Sequence, residues 1–199
     1  MLRWTGLALT AALILTFAGV AQEDVPAAPT SHPYYPLKKD SEWTYAVQGG
    51  PVKVKVVGTE KIKDTNCFKL ETSAGGKPAS TETVGVTKDG VQRFVVNGLS
   101  SEVPIMFLKN GAKKGDTWAV DTKVSGQVVK GTFTVDEVKV KVKDKDYDTL
   151  YVKTTDMEIG STKTSVEYWF AKDVGIVKLK FSLGTQEATL ELENYTPGK

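Results

Sequence analysis

The chain contains one histidine and one cysteine, the residue types most often used for nucleophilic and metal chemistry. His32 lies in the proline-rich stretch "APTSHPYYP", where a general base or a zinc ligand would lack neighbours held in place. Cys67 begins an aliphatic strand pattern, "CFKLETS", and has no second cysteine with which to form a disulfide. We therefore expect Cys67 to be a buried apolar side chain rather than a reactive thiol. We expect no Ser-His-Asp triad and no histidine-based zinc site.

Carboxylates are the remaining groups that could support acid-base or metal chemistry. The segment "KDKDYD" gives Asp144, Asp146 and Asp148 the alternate spacing of a calcium loop. Lys145 opposes that charge, and the glycine and distal glutamate of an EF-hand are missing, so a solvated β-turn is favoured. A glycosidase pair needs a set distance between two carboxylates. No such distance follows from the strand glutamates, which are Glu158, Glu167, Glu187, Glu191 and Glu193. We expect no catalytic residue, metal or cofactor, and a protein that is not an enzyme.

Aromatic side chains are the candidates for contacting a ligand. In "EYWFAK" three rings follow one another, and alternation along a strand makes at least one face outward or toward a cavity. The proposed ligand-binding residues are Tyr45, Tyr168 and Trp169. Trp43 and Trp118 are predicted instead to be core residues that begin two related units.

The amino-terminal segment has the pattern of a secretory signal peptide. Residues 1–21 combine Arg3, a long apolar run and small residues before Gln22, whereas an uncleaved membrane anchor is the alternative. Residues 22–33 form a predicted proline-rich linker, and the folded domain is predicted to span 34–196. This organisation predicts an exported protein, in the periplasm, cell envelope or outside the cell, that does not span the membrane after cleavage.

The elements that must position the candidate residues are β-strands. In "GPVKVKVVGTEKI" and "EVKVKVKD" valines alternate with lysines, which places the valines on one face of a strand and the lysines on the other. Other short runs rich in β-branched and aromatic residues follow, bounded by turn residues. The segment nearest to a helix is "SEVPIMFLKNGAKKG", with room for a turn or two. The sequence predicts a single all-β domain with little helix.

An internal repeat is indicated by paired segments. "YYPLKKDSEWTYAV" resembles "FLKNGAKKGDTWAV", "DTNCFKLETS" lies over "DYDTLYVKTT", and a Lys-Asp hairpin closes each half. The halves, about 34–99 and 104–195, predict two antiparallel meanders that together form a strongly curved sheet or a partly open barrel. Coincidence between two alternating strand patterns is the alternative.

Three motifs also carry a resemblance to a known group. "YYPLKKDSEWTYAV", "KKGDTW" and "EYWFAKDVGIVKLKF" are similar to the Y-x-P-L-K-x-G-x-x-W-x-Y and W-Y-A-x-x-V-G-L-V-K motifs of exported bacterial all-β proteins, some of them TapB-like. The glycine of the first motif is Asp40 in this chain. The resemblance covers nearly all of Tyr34 to Tyr195. It implies an exported all-β domain similar to the curved sheets of periplasmic lipoprotein carriers, and it implies no chemistry.

Two functions remain open at the level of sequence. One is non-catalytic binding of an apolar or amphiphilic, lipid-like ligand between a curved sheet and the segment Leu99 to Lys114. The other is a structural or protein-interaction module of the cell envelope, with the sheet packed solid. A formal net charge of +2 gives no reason to expect nucleic acid as a partner. The lysine rows are expected to be a solvated face that discourages edge pairing rather than a basic binding face.

Overall fold

The computed structural model describes residues 31–199, so the predicted signal peptide and most of the predicted linker lie outside the described residues. Twelve β-strands and no α-helix make up the described part, and within it no helix is long and apolar enough to span a membrane. The all-β prediction is confirmed. The strands are β1 Glu42–Ala46, β2 Val52–Ile62, β3 Thr65–Ala74, β4 Lys77–Val86, β5 Gly90–Val96, β6 Leu99–Lys109, β7 Thr117–Val124, β8 Gln127–Val142, β9 Lys145–Ile159, β10 Thr162–Ala171, β11 Gly175–Leu183 and β12 Gln186–Thr196.

The sheet is a closed barrel. Each strand pairs antiparallel with the next along the chain, and β1 completes the cylinder by pairing with both β2 and β12, where Trp43 lies opposite Tyr195. The predicted partly open barrel is therefore wrong in that respect. Among the described strands, closure leaves no free edge strand, although β6 and β7 share one register pair.

Alternation along the strands separates an apolar interior from a charged exterior. In β2, Val52, Val54 and Val56 point into the barrel, while Lys53 and Lys55 are exposed. The outer lysines pair with carboxylates of neighbouring segments, as Lys53 does with Glu42 at 3.0 Å. The lysine rows thus belong to a solvated outer face, as the sequence predicts.

The two ends of the barrel differ. One end, which we call the mouth, carries the turns 47–51, 75–76, 97–98, 125–126, 160–161 and 184–185. Asn97-Gly98 and Ser125-Gly126 both have positive φ at each residue, the geometry of the type I′ turns that suit the twist of a hairpin. Because these turns are short, they do not fold over the lumen, and the mouth stays open.

The opposite end is closed by residues 32–41, which we call the plug. Leu37 is fully buried, and the Tyr35 ring packs at 5.8 Å from both the Trp43 and the Phe107 ring centroids. Asp40 adopts a positive φ of 68°, a conformation that favours glycine and that aspartate tolerates better than most residues.

His32 is held in place, contrary to the expectation that it lies in a loose tether. It is buried, it forms an isolated bridge with Tyr35, and its Nδ1 accepts the Tyr34 N–H at 3.1 Å. The Pro33 carbonyl accepts the Asp173 N–H at 2.7 Å. His32 and Pro33, which the sequence pattern assigns to the linker, therefore belong to the folded structure.

The segment predicted to hold a helical turn and to cover the sheet is instead strand β6, part of the barrel wall. Its junction with β7 is the least regular in the barrel, since one register pair is formed, Ser101 opposite Val124. Side chains join the two strands elsewhere. The Thr122 hydroxyl donates to the Val103 carbonyl at 2.9 Å and accepts the Val103 N–H at 2.8 Å. We call this junction the seam.

The structure does not establish the predicted repeat, because the predicted boundary between the halves, at 99–104, falls within strand β6. Six strands, β1 to β6, precede the seam and six follow it. Trp43 and Trp118 each begin a half and both are buried, as predicted. Their indole N–H groups donate to different partners, the Val174 carbonyl for Trp43 and the Met106 carbonyl for Trp118. The repeat therefore stays a prediction.

Candidate ligand-binding cavity

The barrel lumen holds a cavity of about 600 Å³. Its wall is mainly aliphatic and aromatic, and the inward side chains of β2, β3, β11 and β12 include Val54, Leu70, Leu179, Phe181 and Leu190. Several of these residues are half-buried although they point inward, because the lumen itself leaves their surfaces accessible. A concave, largely apolar volume of this size is typical of a small-molecule site.

Tyrosines lie where the cavity meets the plug, a region that we call the floor. Tyr35, Tyr45 and Tyr168 all line the cavity there. The Tyr45 hydroxyl donates to the Ile176 carbonyl at 3.0 Å, which fixes the ring against β11. Burial raises the pKa of Tyr45 well above its usual value, and the nearby Tyr35 adds to that effect. Tyr45 therefore stays neutral and acts as a hydrogen-bonding group on an apolar surface.

The floor also carries an ion pair. Arg93 Nε donates to a Glu82 carboxylate oxygen at 2.9 Å, and the two side chains are 20% and 28% exposed. The Arg93 guanidinium carbon lies 4.8 Å from the centre of the Phe107 ring. Burial alone would lower the pKa of Arg93, but Glu82 and a hydrogen bond with Tyr168 outweigh it and raise that pKa. Arg93 is therefore a permanent cation, neutralised by Glu82 inside an otherwise uncharged lining.

Comparison with known proteins finds similarity to two solved structures. A Bacteroides fragilis protein inferred to be exported, with a YmcC-like fold, is 14% identical, with a TM-score of 0.42, covering 81% of this chain and 97% of its own. An inferred lipoprotein of Parabacteroides distasonis is 10% identical, with a TM-score of 0.40, covering 84% and 100%. No family model and no curated protein matches the chain. At these identities and scores, neither structure assigns the chain to a family.

The structure separates the three ligand-binding candidates of the sequence. Tyr45 and Tyr168 line the cavity, but Trp169 does not. Trp169 lies on the outer wall, where its ring centre is 4.8 Å from that of Tyr151 and 5.7 Å from Lys178 Nζ. Alternation explains the result, because Trp169 follows Tyr168 and must face the other side of the wall.

Glu82 and Arg93 are the site residues that sequence reasoning missed. In "VQRFVV" the fully buried Val91 and Arg93 are two positions apart, so the strand period places both side chains on the inner face. That signal was available. The strand period could not identify Glu82 as the ion-pair partner of Arg93, because the two residues meet only through the pairing of β4 with β5.

The other candidate groups lie away from the lumen. Cys67 is buried as predicted, and burial raises the pKa of its thiol to about 11, with Glu60 adding to the effect. Asp144 lies in the turn between β8 and β9, and Asp148 lies on β9, where it pairs with Lys139 at 3.6 Å. Within the part of the chain that the structure describes, no group of three or more His, Cys, Asp or Glu residues could hold a metal ion. The lumen lining contains none of the candidate glutamates, which are Glu158, Glu167, Glu187, Glu191 and Glu193.

Proposed function

We propose that the protein is an exported, non-catalytic binding protein that holds an apolar or amphiphilic ligand inside its barrel. The observation that carries this proposal is the apolar cavity of about 600 Å³, open at the mouth and closed by the plug. Burial of a ligand surface against such a wall is favourable by about 25 cal/mol per Å² of apolar area. A single small amphiphile is the class of ligand that fits.

The composition of the lining supports binding rather than turnover. Its charged side chains, Glu82 and Arg93, are engaged with each other, and its tyrosines include one whose hydroxyl is bound to a backbone carbonyl. A general acid or base needs a group that can exchange a proton near neutral pH. Burial raises the pKa of Tyr35 and Tyr45 farther above that range. Burial would lower the pKa of Arg93, but the Glu82 charge outweighs it and raises that pKa.

The interaction-module alternative required a solid interior. An interior filled by its own side chains would leave no volume, whereas this lumen retains about 600 Å³. The cavity therefore favours the binding function over the packed module.

The repeated organisation inferred from the sequence fits the same function. A six-strand meander has two edges, and its apolar inner face would be open to water. Two such halves, joined at the seam and between β1 and β12, enclose a common lumen. We infer that the duplication provides the strand number needed to surround a ligand rather than only a packed core.

Export is proposed on the signal pattern of residues 1–21, which lie outside the described residues. Intact-mass measurement of the protein recovered from the cell envelope or medium should show a chain that begins near Gln22. A mass that includes Met1 to Val20 would show that the segment is an anchor.

The binding proposal can be tested by blocking the lumen. Nile red, an apolar dye, should bind the wild-type protein with enhanced fluorescence and be displaced by dodecanol. Leu190→Trp places a larger side chain in the cavity, and we expect it to weaken dye binding at least about tenfold, which corresponds to roughly 1.4 kcal/mol. Circular dichroism and a denaturant melt check that the variant is folded, since overpacking costs about 1–3 kcal/mol.

Val103→Trp is the matched control, because Val103 is 59% exposed and does not line the lumen. It should leave dye binding unchanged. Equal binding by the wild type and a folded Leu190→Trp protein would place the dye on the outer surface and count against the proposal.

A further inference from the structure

The lumen is chemically asymmetric along its axis. Near the mouth, the lining includes Leu99, Val124, Ser125 and Gln127 beside the short turns. At the floor it includes the Glu82–Arg93 pair, set against Phe107, whose ring packs on Tyr35 of the plug. Glu82 and Arg93 are the charged side chains of the lining, and Arg93 lies against the Phe107 ring that packs on the plug.

The floor presents unused hydrogen-bonding capacity of both kinds. A guanidinium has five N–H donors, and Arg93 uses Nε for Glu82 and another contact for Tyr168. A carboxylate has about four acceptor sites, so Glu82 keeps acceptor capacity beside its bond to Arg93. Both side chains retain accessible surface, and the cavity lies next to them.

The net charge of the floor is zero, and this determines which head group it accepts. An anionic head would bond to Arg93 but lie beside the Glu82 carboxylate, whereas a cationic head would lie beside Arg93. Either ion would also leave water for a low-dielectric site without an unshared counter-ion. A neutral head that donates to Glu82 and accepts from Arg93 meets neither penalty.

The same reasoning orients the ligand. If an apolar tail reached the floor, it would displace water from Glu82 and Arg93 and give their remaining donors and acceptors no partner. If the head reaches the floor, it satisfies those groups while the chain lies against Val54, Leu70 and Leu179. Head-first binding thus uses both the polar and the apolar parts of the cavity.

We propose, resting on the proposed function, that the ligand is a single-chain amphiphile with an uncharged head that both donates and accepts hydrogen bonds. This head binds Glu82 and Arg93 at the floor, and the chain extends toward the mouth. Fatty alcohols, fatty amides and monoacylglycerols belong to this chemical class.

The test compares dodecanol, dodecanoate and dodecylammonium, which share one chain and differ in the charge of the head. Each is titrated into the full mature protein at neutral pH, below the solubility limit of dodecanol and below the critical micelle concentrations of the two ions. Affinity is measured by displacement of Nile red. We expect dodecanol to bind at least about tenfold more tightly than either ion. This ranking in the wild-type protein tests the proposal without any substitution.

A charge variant tests the assigned residues. Glu82→Gln keeps the shape of the side chain but leaves the Arg93 charge without its carboxylate, so the ratio of dodecanoate affinity to dodecanol affinity should rise about tenfold or more. Glu71→Gln makes the same change at an exposed position of β3, outside the lumen, and should leave the ratio unchanged.

The outcomes separate this inference from the function on which it rests. Equal binding of the three probes by the wild type, or an unchanged ratio in a folded Glu82→Gln protein, would overturn the head-group assignment while lumen binding stands. No binding of any probe or of Nile red would overturn both.

Discussion

At the scale of single residues, the notable polar groups of this protein are those that lie in an apolar environment and depend on their neighbours there. Arg93 and Glu82 compensate each other on an apolar floor, and neither would be stable there alone. The apolar environment also changes the pKa of His32. This residue is buried at the start of the plug, and burial lowers its pKa below the usual value of 6.5. The neutral imidazole is therefore part of the native structure.

This lowered pKa predicts an acid-sensitive plug. Because the unfolded chain binds a proton at His32 more readily than the folded chain, the stability that His32 contributes is present above about pH 6.5 and is lost as pH falls below it. Protonation of Nδ1 also removes the acceptor for the Tyr34 N–H. Denaturant melts between about pH 7.5 and pH 5 should show this loss.

His32→Asn is the matched variant, since its side-chain oxygen can accept a hydrogen bond but does not titrate in this range. It should lose less stability on acidification than the wild type does. An identical pH dependence in both proteins would show that other groups, and not His32, control the acid response.

At the scale of elements, the wall of the barrel is regular except at the seam. β8 and β9 pair from Val129 opposite Ile159 to Val142 opposite Lys145, whereas β6 and β7 share one register pair. Side-chain hydrogen bonds join β6 and β7 where backbone pairs are missing. The Thr122 hydroxyl bonds to the backbone of Val103, and the Trp118 indole N–H donates to the Met106 carbonyl. The seam is therefore the part of the wall whose closure depends most on individual side chains.

Thr122→Val tests this dependence. The substitution keeps the shape of a buried side chain but leaves the N–H and the carbonyl of Val103 without the hydroxyl that serves both. We expect a loss of about 1–3 kcal/mol in the free energy of unfolding. Amide hydrogen exchange at Val103 should become faster.

Thr117→Val serves as the control on the same strand, because Thr117 is exposed. Its effect should stay within about 0.5 kcal/mol. If the two variants are equally stable and Val103 exchanges at the wild-type rate, the seam is held by something other than the Thr122 hydroxyl.

At the scale of the whole molecule, the barrel is stabilised by two aromatic clusters in different places. Trp43 packs on Tyr195 at 5.1 Å and on Tyr35 of the plug at 5.8 Å, whereas Trp118 packs on Phe133 at 5.4 Å. The first cluster closes the end of the lumen, and the second lies beside the seam. Each half of the chain thus contributes one indole to a different part of the enclosure.

Truncation of either tryptophan should be costly. Trp43→Ala and Trp118→Ala each remove a buried indole and its hydrogen bond, and we expect each to lower the free energy of unfolding by about 3–5 kcal/mol. Urea melts of the two variants measure this. A large loss in one variant and almost none in the other would argue against equivalent roles for the two residues in a repeat.

Much of the architecture could be predicted because strand periodicity is a local property. Alternation of Val52, Val54 and Val56 with lysines determined which face of β2 is apolar, and the same period applies to Val138, Val140 and Val142 in β8. The consecutive rings Tyr168 and Trp169 are predicted by the same period to face opposite sides of the wall, but the period does not tell which of them faces the lumen. The sequence did not predict β6 as a strand, because Pro104 and Gly111 suggested an interruption. Proline is nevertheless tolerated in a strand where the hydrogen-bond ladder is irregular, as it is between β6 and β7.

The amino-acid sequence by itself determined an all-β chain with an apolar face along each strand, and it placed the predicted signal ahead of that domain. Only the tertiary structure decided that the sheet closes, that residues 32–41 seal one end, and that Glu82 meets Arg93. The physical reason is that inward or outward orientation follows from a residue's immediate neighbours, whereas closure, the enclosed volume and the ion pair depend on which distant strands lie side by side.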